Sequence, residues 1–179
     1  MTCIVGIKHN GKVYIGGDSQ GSTYHSKVIR ADQKVFVRDD MIFGFTSSYR
    51  MGQILRYSFV IPKRLHEDND DMKYLVDKFI PALIKCYDEG GYLTKVQNAS
   101  VGGTFLLGYK NKLYKIENDF QVGESVDDYD ACGSGEDFAL GSLFSTKTIT
   151  DPEERIKLAI DAASSYSPGV GGSTYILNI

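Results

Sequence analysis

Surplus basic charge, long apolar runs, paired cysteines and clustered histidines are all missing from this chain of 179 residues. Twenty Lys and Arg against 23 Asp and Glu leave a formal net charge of −3, which argues against a nucleic-acid binder that works through a basic face. No apolar stretch approaches the roughly 20 residues needed to span a bilayer, so a membrane protein is a poor fit. The opening Met1-Thr2-Cys3-Ile4-Val5 has neither a basic n-region nor an apolar h-region, and export by that route is not expected. Cys3, Cys86 and Cys132 form no Cys-x-x-Cys pair and no framework, which points to a reducing, cytoplasmic compartment. His9, His25 and His66 lie far apart without metal-ligand spacing, so a zinc hydrolase is not indicated either.

What is present reads as one soluble domain over residues 1–179. Hydrophobic residues are 42% and charged residues 24%, and a chain of this size buries about 70% of its unfolded surface, enough for a core without staples. Cys3, Val5 and Ile7 alternate with Ile4, Gly6 and Lys8, the period of a strand. Asn10-Gly11 supplies a hairpin turn, because both residues tolerate positive φ, and 13–18 returns as the second strand. A polar stretch, 19–26, precedes short strands at 27–30, 34–38 and 41–45. Met51, Ile54 and Leu55 then recur at helical spacing after the capping hydroxyls of Thr46-Ser47-Ser48. Met72, Leu75, Val76, Phe79 and Leu83 do the same, with Pro81 predicted to kink or end that helix and Gly90-Gly91 to stop it.

Strands return at 104–109 and 113–116. A tight glycine turn, Ala131-Cys132-Gly133-Ser134-Gly135, leads into a helix over 136–144. Asp151-Pro152-Glu153-Glu154 starts another, with Asp as N-cap, Pro at the first helical position and Glu three residues after the cap. Ile156, Ala159, Ile160 and Ala163 form its apolar stripe. A loop at 168–172 and a strand at 173–177 close the chain. Strands in blocks joined by hairpins predict an α+β fold, two antiparallel sheets with helices outside.

The chemistry begins at Thr2. Once Met1 is removed, one residue supplies a hydroxyl nucleophile and a free amine as its base. An α-amino pKa of about 7.7–8.0 leaves that amine able to accept the hydroxyl proton near neutrality. With Met1 retained, the same nitrogen is an amide and no base. The Asn10-Gly11 turn places Gly17-Asp18 opposite the chain start. Lys34 opens a later strand that reaches the same end. A lysine there favours the deprotonated hydroxyl and the neutral amine, and an aspartate holds the lysine charged. Blander readings exist for each residue. Asp18 and Lys34 also fit a surface pair worth under about 1 kcal/mol, and Ser134 also fits a cap for the helix that follows. Cys3 fits a small core residue. Asp127, Asp128 and Asp130 lack the glycine and terminal Glu of an EF-hand loop and fit a solvated turn. Gly133-Ser134-Gly135 lacks the lysine of a P-loop.

Thr2, Gly16-Gly17-Asp18, Lys34-Val35, Gly44-Phe45 and Gly133-Ser134-Gly135 together resemble the proteasome β-subunit family of N-terminal-nucleophile (Ntn) hydrolases. The opening strand–turn–strand is most similar to the HslV-type bacterial peptidase subunit. The separations from Thr2 to Asp18 and to Lys34 match without gaps, and the similarity covers nearly the whole chain. The resemblance implies a four-layer αββα sandwich and a threonine-type endopeptidase with no cofactor. It implies Thr2 as nucleophile, Lys34 tuning it, Asp18 orienting Lys34, and Ser134 near the terminal amine. The backbone N–H near Ser47 is implied to stabilise the oxyanion, Ser22 to pair with substrate backbone, and Phe45 to form the floor or wall of the pocket for the side chain before the scissile bond. Implied partners are other copies in a homo-oligomeric ring, a peptide or unfolded protein as substrate, and an ATP-dependent unfoldase; nucleic acid and membrane are not among them.

Two departures bear on activity. Ser47 stands where the family usually has glycine, so a glycine-only conformation is not tolerated there. The stretch 165–172 contains no carboxylate, where many relatives carry an aspartate before the last strand; Ser167 is the available hydrogen-bonding side chain. These departures favour one alternative, a catalytically degenerate ring subunit; a second alternative is an Ntn amidase acting on a small amide. The single residue ahead of Thr2, in place of a longer propeptide, is like the HslV type.

Overall fold

The computed structural model describes residues 1–23, 25–65 and 69–179; His66 lies outside the described residues. The opening hairpin is β1 (Cys3–His9) and β2 (Lys12–Gly17), with Ile4 opposite Gly17. Asn10 and Gly11 both take positive φ, 48° and 73°, as the turn requires. The polar stretch is not all loop. Gln20–Ser22 forms β3, which pairs with β4 (Lys27–Ile29) in a small ribbon. No apolar alternation announces it, because its residues answer to hydrogen bonds and not to burial. Next come β5 (Val35–Arg38) and β6 (Met41–Phe45).

Helix α1 (Tyr49–Gln53) is capped by Ser48, whose side chain accepts from the Arg50 N–H, and runs on as a π-helical turn over Ile54–Ser58. Asp70 caps α2 (Asp71–Tyr74) in the same manner. A second π-helical turn, Leu75–Phe79, links α2 to α3 (Ile80–Glu89). Pro81 therefore neither ends nor breaks the helix at its own position. The ladder has already been reset by the wide turn, in which the Ile80 N–H donates to Leu75 O. Proline then falls in the first turn of a new α segment, where its missing N–H costs nothing.

The hairpin β7 (Thr94–Val96) and β8 (Ala99–Val101) is exposed and weakly apolar. It escapes the sequence reading, as does the short edge strand β11 (Val122–Glu124). Between them lie β9 (Phe105–Tyr109) and β10 (Lys112–Ile116). After β12 (Tyr129–Gly133), the chain forms α4 (Glu136–Ser145), α5 (Pro152–Tyr166) and β13 (Tyr175–Asn178). Asp151 caps α5 by accepting from the Glu153 N–H at 2.9 Å.

The strands build two larger antiparallel sheets, ordered β12-β1-β2-β13 and β11-β10-β9-β6-β5. Alternation along β1 decides what each face touches. Cys3, Val5 and Ile7 pack with Ala139, Leu143, Ile156 and Ile160 of α4 and α5. Ile4 turns the other way, toward Ile42, Leu106 and Leu113 of the second sheet. The far face of that sheet, through Phe43, Phe105 and Leu107, packs on Met51, Leu55, Leu75, Phe79 and Leu83 of the helical segments. At Gly44 the two sheets pack too closely for a side chain: a Cβ there would lie 2.5 Å from Ile4 and 2.6 Å from Ile15. Among the described residues no helix is long and apolar enough to cross a membrane.

Candidate active site

The site forms at the β1 entry and the end of β2, under the turn that follows β12. Thr2 is buried, 4% exposed. Its backbone N–H donates to Ser134 Oγ at 3.1 Å, and its carbonyl accepts from the Gly135 N–H at 3.3 Å. Gly133 makes this approach possible. Its φ is +103°, and a Cβ at that position would sit 2.3 Å from Thr2 O. Ser134 is not a helix cap: the N-cap of α4 is Gly135, with no side-chain cap bond.

Asp18 and Lys34 are a buried pair, not a surface one, their side chains 0% and 2% exposed. Lys34 Nζ donates to Asp18 Oδ1 at 2.8 Å and to Gln20 O at 2.7 Å. An ammonium has three N–H groups, so one remains for the cavity that Lys34 shares with Thr2. Asp18 is fully used. Oδ1 also accepts from the Cys3 N–H at 3.0 Å, and Oδ2 accepts from the N–H groups of Gln20 at 3.1 Å and Gly171 at 3.2 Å. Burial holds the Lys34 ammonium below the ordinary lysine value of 10.5, with Asp18 pulling the other way. Burial, helped by Asp18, pushes the Cys3 thiol up to about 12. It is a core residue beside the site, its thiol held protonated.

Ser47 has φ 61°, a left-handed conformation that costs a non-glycine residue about 1–2 kcal/mol. Neighbours hold it there: Ser47 Oγ accepts from the Thr104 N–H at 3.1 Å, and Thr46 Oγ1 donates to Thr104 O at 3.0 Å. Glycine is thus not required, and serine adopts the glycine-type conformation with its own side chain as the brace. Among the described residues nothing accepts a hydrogen bond from the Ser47 N–H.

A cavity of about 230 Å³ joins these groups, lined by Thr2, Ser22, Lys34, Phe45, Ser47 and Tyr49 among others. Phe45 stands edge-on to Tyr49 at 5.8 Å and lies on Gly52, where a Cβ would clash with the ring at 2.2 Å. Arg30 covers the other side of Tyr49, 3.9 Å from its centroid, while bonding Asp32 at 2.7 and 2.6 Å. Met1 also lines this space, its side chain set against Gly169.

The residues singled out from sequence, Thr2, Asp18, Ser22, Lys34, Phe45, Ser47 and Ser134, therefore converge on one place. Ser167, the hydrogen-bonding side chain expected from 165–172, joins them, and Gly171 and Gln20 arrive unannounced. Ser167 Oγ donates to Ser134 O at 3.3 Å, and Gly171 binds Asp18, both from the segment that lacks a carboxylate. Gln20 is 2% exposed and bonds Asp18, Ser22, Lys34 and Pro168; its place two residues after Asp18 was the only clue. Asp127 and Asp128 lie elsewhere, paired with Lys147 and Lys8. Among the described residues no group of three or more His, Cys, Asp or Glu could hold a metal ion.

Known structures share this architecture. BPH of Thiobacillus denitrificans superposes with TM-score 0.84 at 19% identity, covering 99% of this chain and 97% of that one. BPH in complex with epoxomicin gives 0.81 at 18%, covering 99% and 98%. Eukaryotic HslV from Trypanosoma brucei gives 0.69 at 16%, covering 99% and 98%. The fold is that of HslV and BPH. These proteasome-like subunits are matched end to end, and the resemblance drawn from the opening hairpin and the glycine turn extends to the whole HslV-like backbone. No family model matches the sequence, and no curated protein matches it.

Proposed function

We propose that this chain is a threonine-type endopeptidase subunit: a single Ntn-hydrolase domain over 1–179, with a four-layer αββα sandwich, acting in the cytoplasm as part of a homo-oligomeric ring. The observation that carries the proposal is the Thr2 nitrogen 3.1 Å from Ser134 Oγ, with Thr2 lining the same cavity as Lys34, which is itself paired with buried Asp18. Removal of Met1 turns that nitrogen from an amide into an amine already aimed at a hydroxyl. The amine takes the Thr2 hydroxyl proton as Oγ1 attacks the peptide carbonyl. The oxyanion meets the Ser47 N–H. Collapse expels the substrate amine, which takes up the proton, and leaves an ester on Thr2. Water, deprotonated by the same amine, then attacks the ester carbonyl; the bond to Oγ1 breaks, Oγ1 takes the proton back from the amine, and the acid leaves. The Lys34 ammonium lowers the cost of negative charge at the threonine oxygen, and Asp18 keeps it in place. A peptide or unfolded protein as substrate and an ATP-dependent unfoldase as partner follow from the resemblance of the sequence to the HslV type, and the shared fold is compatible with both.

The test begins with the intact mass and N-terminal sequence of the purified protein, followed by a covalent probe for amino-terminal threonine such as epoxomicin. A chain starting at Thr2 that takes one probe supports the proposal. A chain that starts at Thr2 and takes none is a degenerate ring subunit, the reading that the missing carboxylate in 165–172 favours.

The pH dependence has a defined sign. Activity requires a neutral amine and a charged Lys34. kcat/KM therefore rises as pH passes through about 7.7–8.0, the range of an α-amine. It falls again as Lys34 loses its proton, below the ordinary 10.5 because burial lowers its pKa. A profile flat to pH 10.5 would show that the lysine charge is not used.

Ser47 offers a separate check on the oxyanion donor. Ser47→Gly keeps the left-handed backbone and is expected to hold kcat within about threefold. Ser47→Val cannot rest there and is expected to lower kcat by about 10²–10³-fold, the worth of one oxyanion donor. Equal kcat values for the two variants would remove Ser47 from the mechanism.

A further inference from the structure

The bonds that the segment 167–171 itself donates to the site are long. Ser167 Oγ lies 3.3 Å from Ser134 O and 3.5 Å from Ser134 Oγ, and Gly171 N lies 3.2 Å from Asp18 Oδ2. No carboxylate in this segment fastens it. Yet it sets the groups that surround both the Thr2 nitrogen and the Lys34–Asp18 pair. The short bond to it comes from β3: Gln20 Nε2 donates to Pro168 O at 2.8 Å, and the same nitrogen donates to Ser22 Oγ at 2.8 Å. Pro168 O can only accept, so the amide nitrogen must face it. The opposite edge of the amide presses on the chain at Gly171, where a Cβ would lie 2.6 Å from Gln20 Oε1. Gln20 is fully packed, and its main chain is committed as well, the N–H to Asp18 and the carbonyl to Lys34.

We infer that the Gln20 side-chain amide is a positioning residue, a clamp that ties the 167–171 segment to β3 and so holds Ser134 and Asp18 in register for Thr2. It replaces the missing carboxylate from the opposite side of the contact: the amide sits on the β3 ribbon, and the return segment offers only its backbone. Because the same amide nitrogen binds Ser22, the clamp also joins the substrate-pairing strand to the catalytic residues. The inference rests on the peptidase reading for its effect on turnover, but not for its effect on the segment.

The experiment uses full-length, processed protein carrying Gln20→Met, which keeps the length of the side chain and removes its donors. Amide hydrogen exchange is followed over residues 166–172, and kcat and KM are measured on an unstructured peptide. Exchange in 166–172 is expected to rise at least about tenfold, with β9 and β10 unchanged. kcat is expected to fall about tenfold, in keeping with displaced catalytic groups, and the alkaline limb of the pH profile to move. A merely structural loss would leave that limb in place. Gly171→Ala, which pushes the amide aside from the other partner, is expected to reproduce the result and serves if Gln20→Met fails to fold. Unchanged exchange at 166–172 overturns the inference, as does faster exchange with unchanged kcat and pH profile. If the unsubstituted protein neither turns over peptide nor takes the threonine probe, the peptidase reading fails, and the exchange measurement still decides whether the clamp exists.

Discussion

Asp18→Ala is expected to cost about 3–5 kcal/mol of folding stability, because it strips a buried charge of its partner. Lys34 Nζ is left with Gln20 O as its remaining protein acceptor, in a position 2% exposed. The N–H groups of Cys3, Gln20 and Gly171 lose their acceptor at the same time, and each unpaired buried donor carries its own desolvation cost. Urea denaturation measures the loss as a lower midpoint at unchanged slope. The companion variant separates charge from shape. Lys34→Met in the Asp18→Ala background removes the stranded cation, so the double variant is expected to be more stable than Asp18→Ala alone. If the double variant is less stable than the single one, the carboxylate acts through its backbone bonds and the ion pair contributes little.

Thr2→Ala is expected to lower kcat/KM on peptide by at least about 10³-fold, the scale on which removal of a nucleophile registers, while leaving stability nearly untouched. The side chain lines a cavity, and the contacts that hold residue 2 in place are made by its backbone, through Ser134 and Gly135. Thr2→Ser keeps a hydroxyl and an amine on the same residue and is expected to retain turnover. The two variants, compared by steady-state kinetics and by thermal unfolding, isolate the hydroxyl. Equal turnover by Thr2→Ala and wild type would end the nucleophile assignment, whatever the fold.

Ser47 shows where a sequence-level departure is absorbed by packing. Serine in place of glycine suggests that a left-handed backbone is forbidden. The structure instead holds φ at 61° with bonds to Thr104, a residue 57 positions away. Pro81 shows the same limit. Its effect on the helix depends on a π-helical turn just ahead of it, and a propensity read residue by residue cannot see a change in hydrogen-bond register. The hairpin at Thr94–Val101 went unseen because its strands are short and exposed, so burial imposes no period-2 pattern on them.

By itself the sequence determined whatever depends on neighbours along the chain. The alternation of β1 and the Asn10-Gly11 turn set which residues face each layer and bring Asp18 back to the chain start, since a hairpin's register follows from its turn. Only the tertiary structure decided how Ser134, Ser167, Gly171 and Gln20 complete the site. Ser134 meets Thr2 across 132 residues and Gly171 meets Asp18 across 153, while Ser167 backs Ser134 and the buried Gln20 amide reaches Pro168. Hydrophobic periodicity fixes the face of an element, not its neighbour. The contacts that hold Thr2 in place are made between neighbours in space.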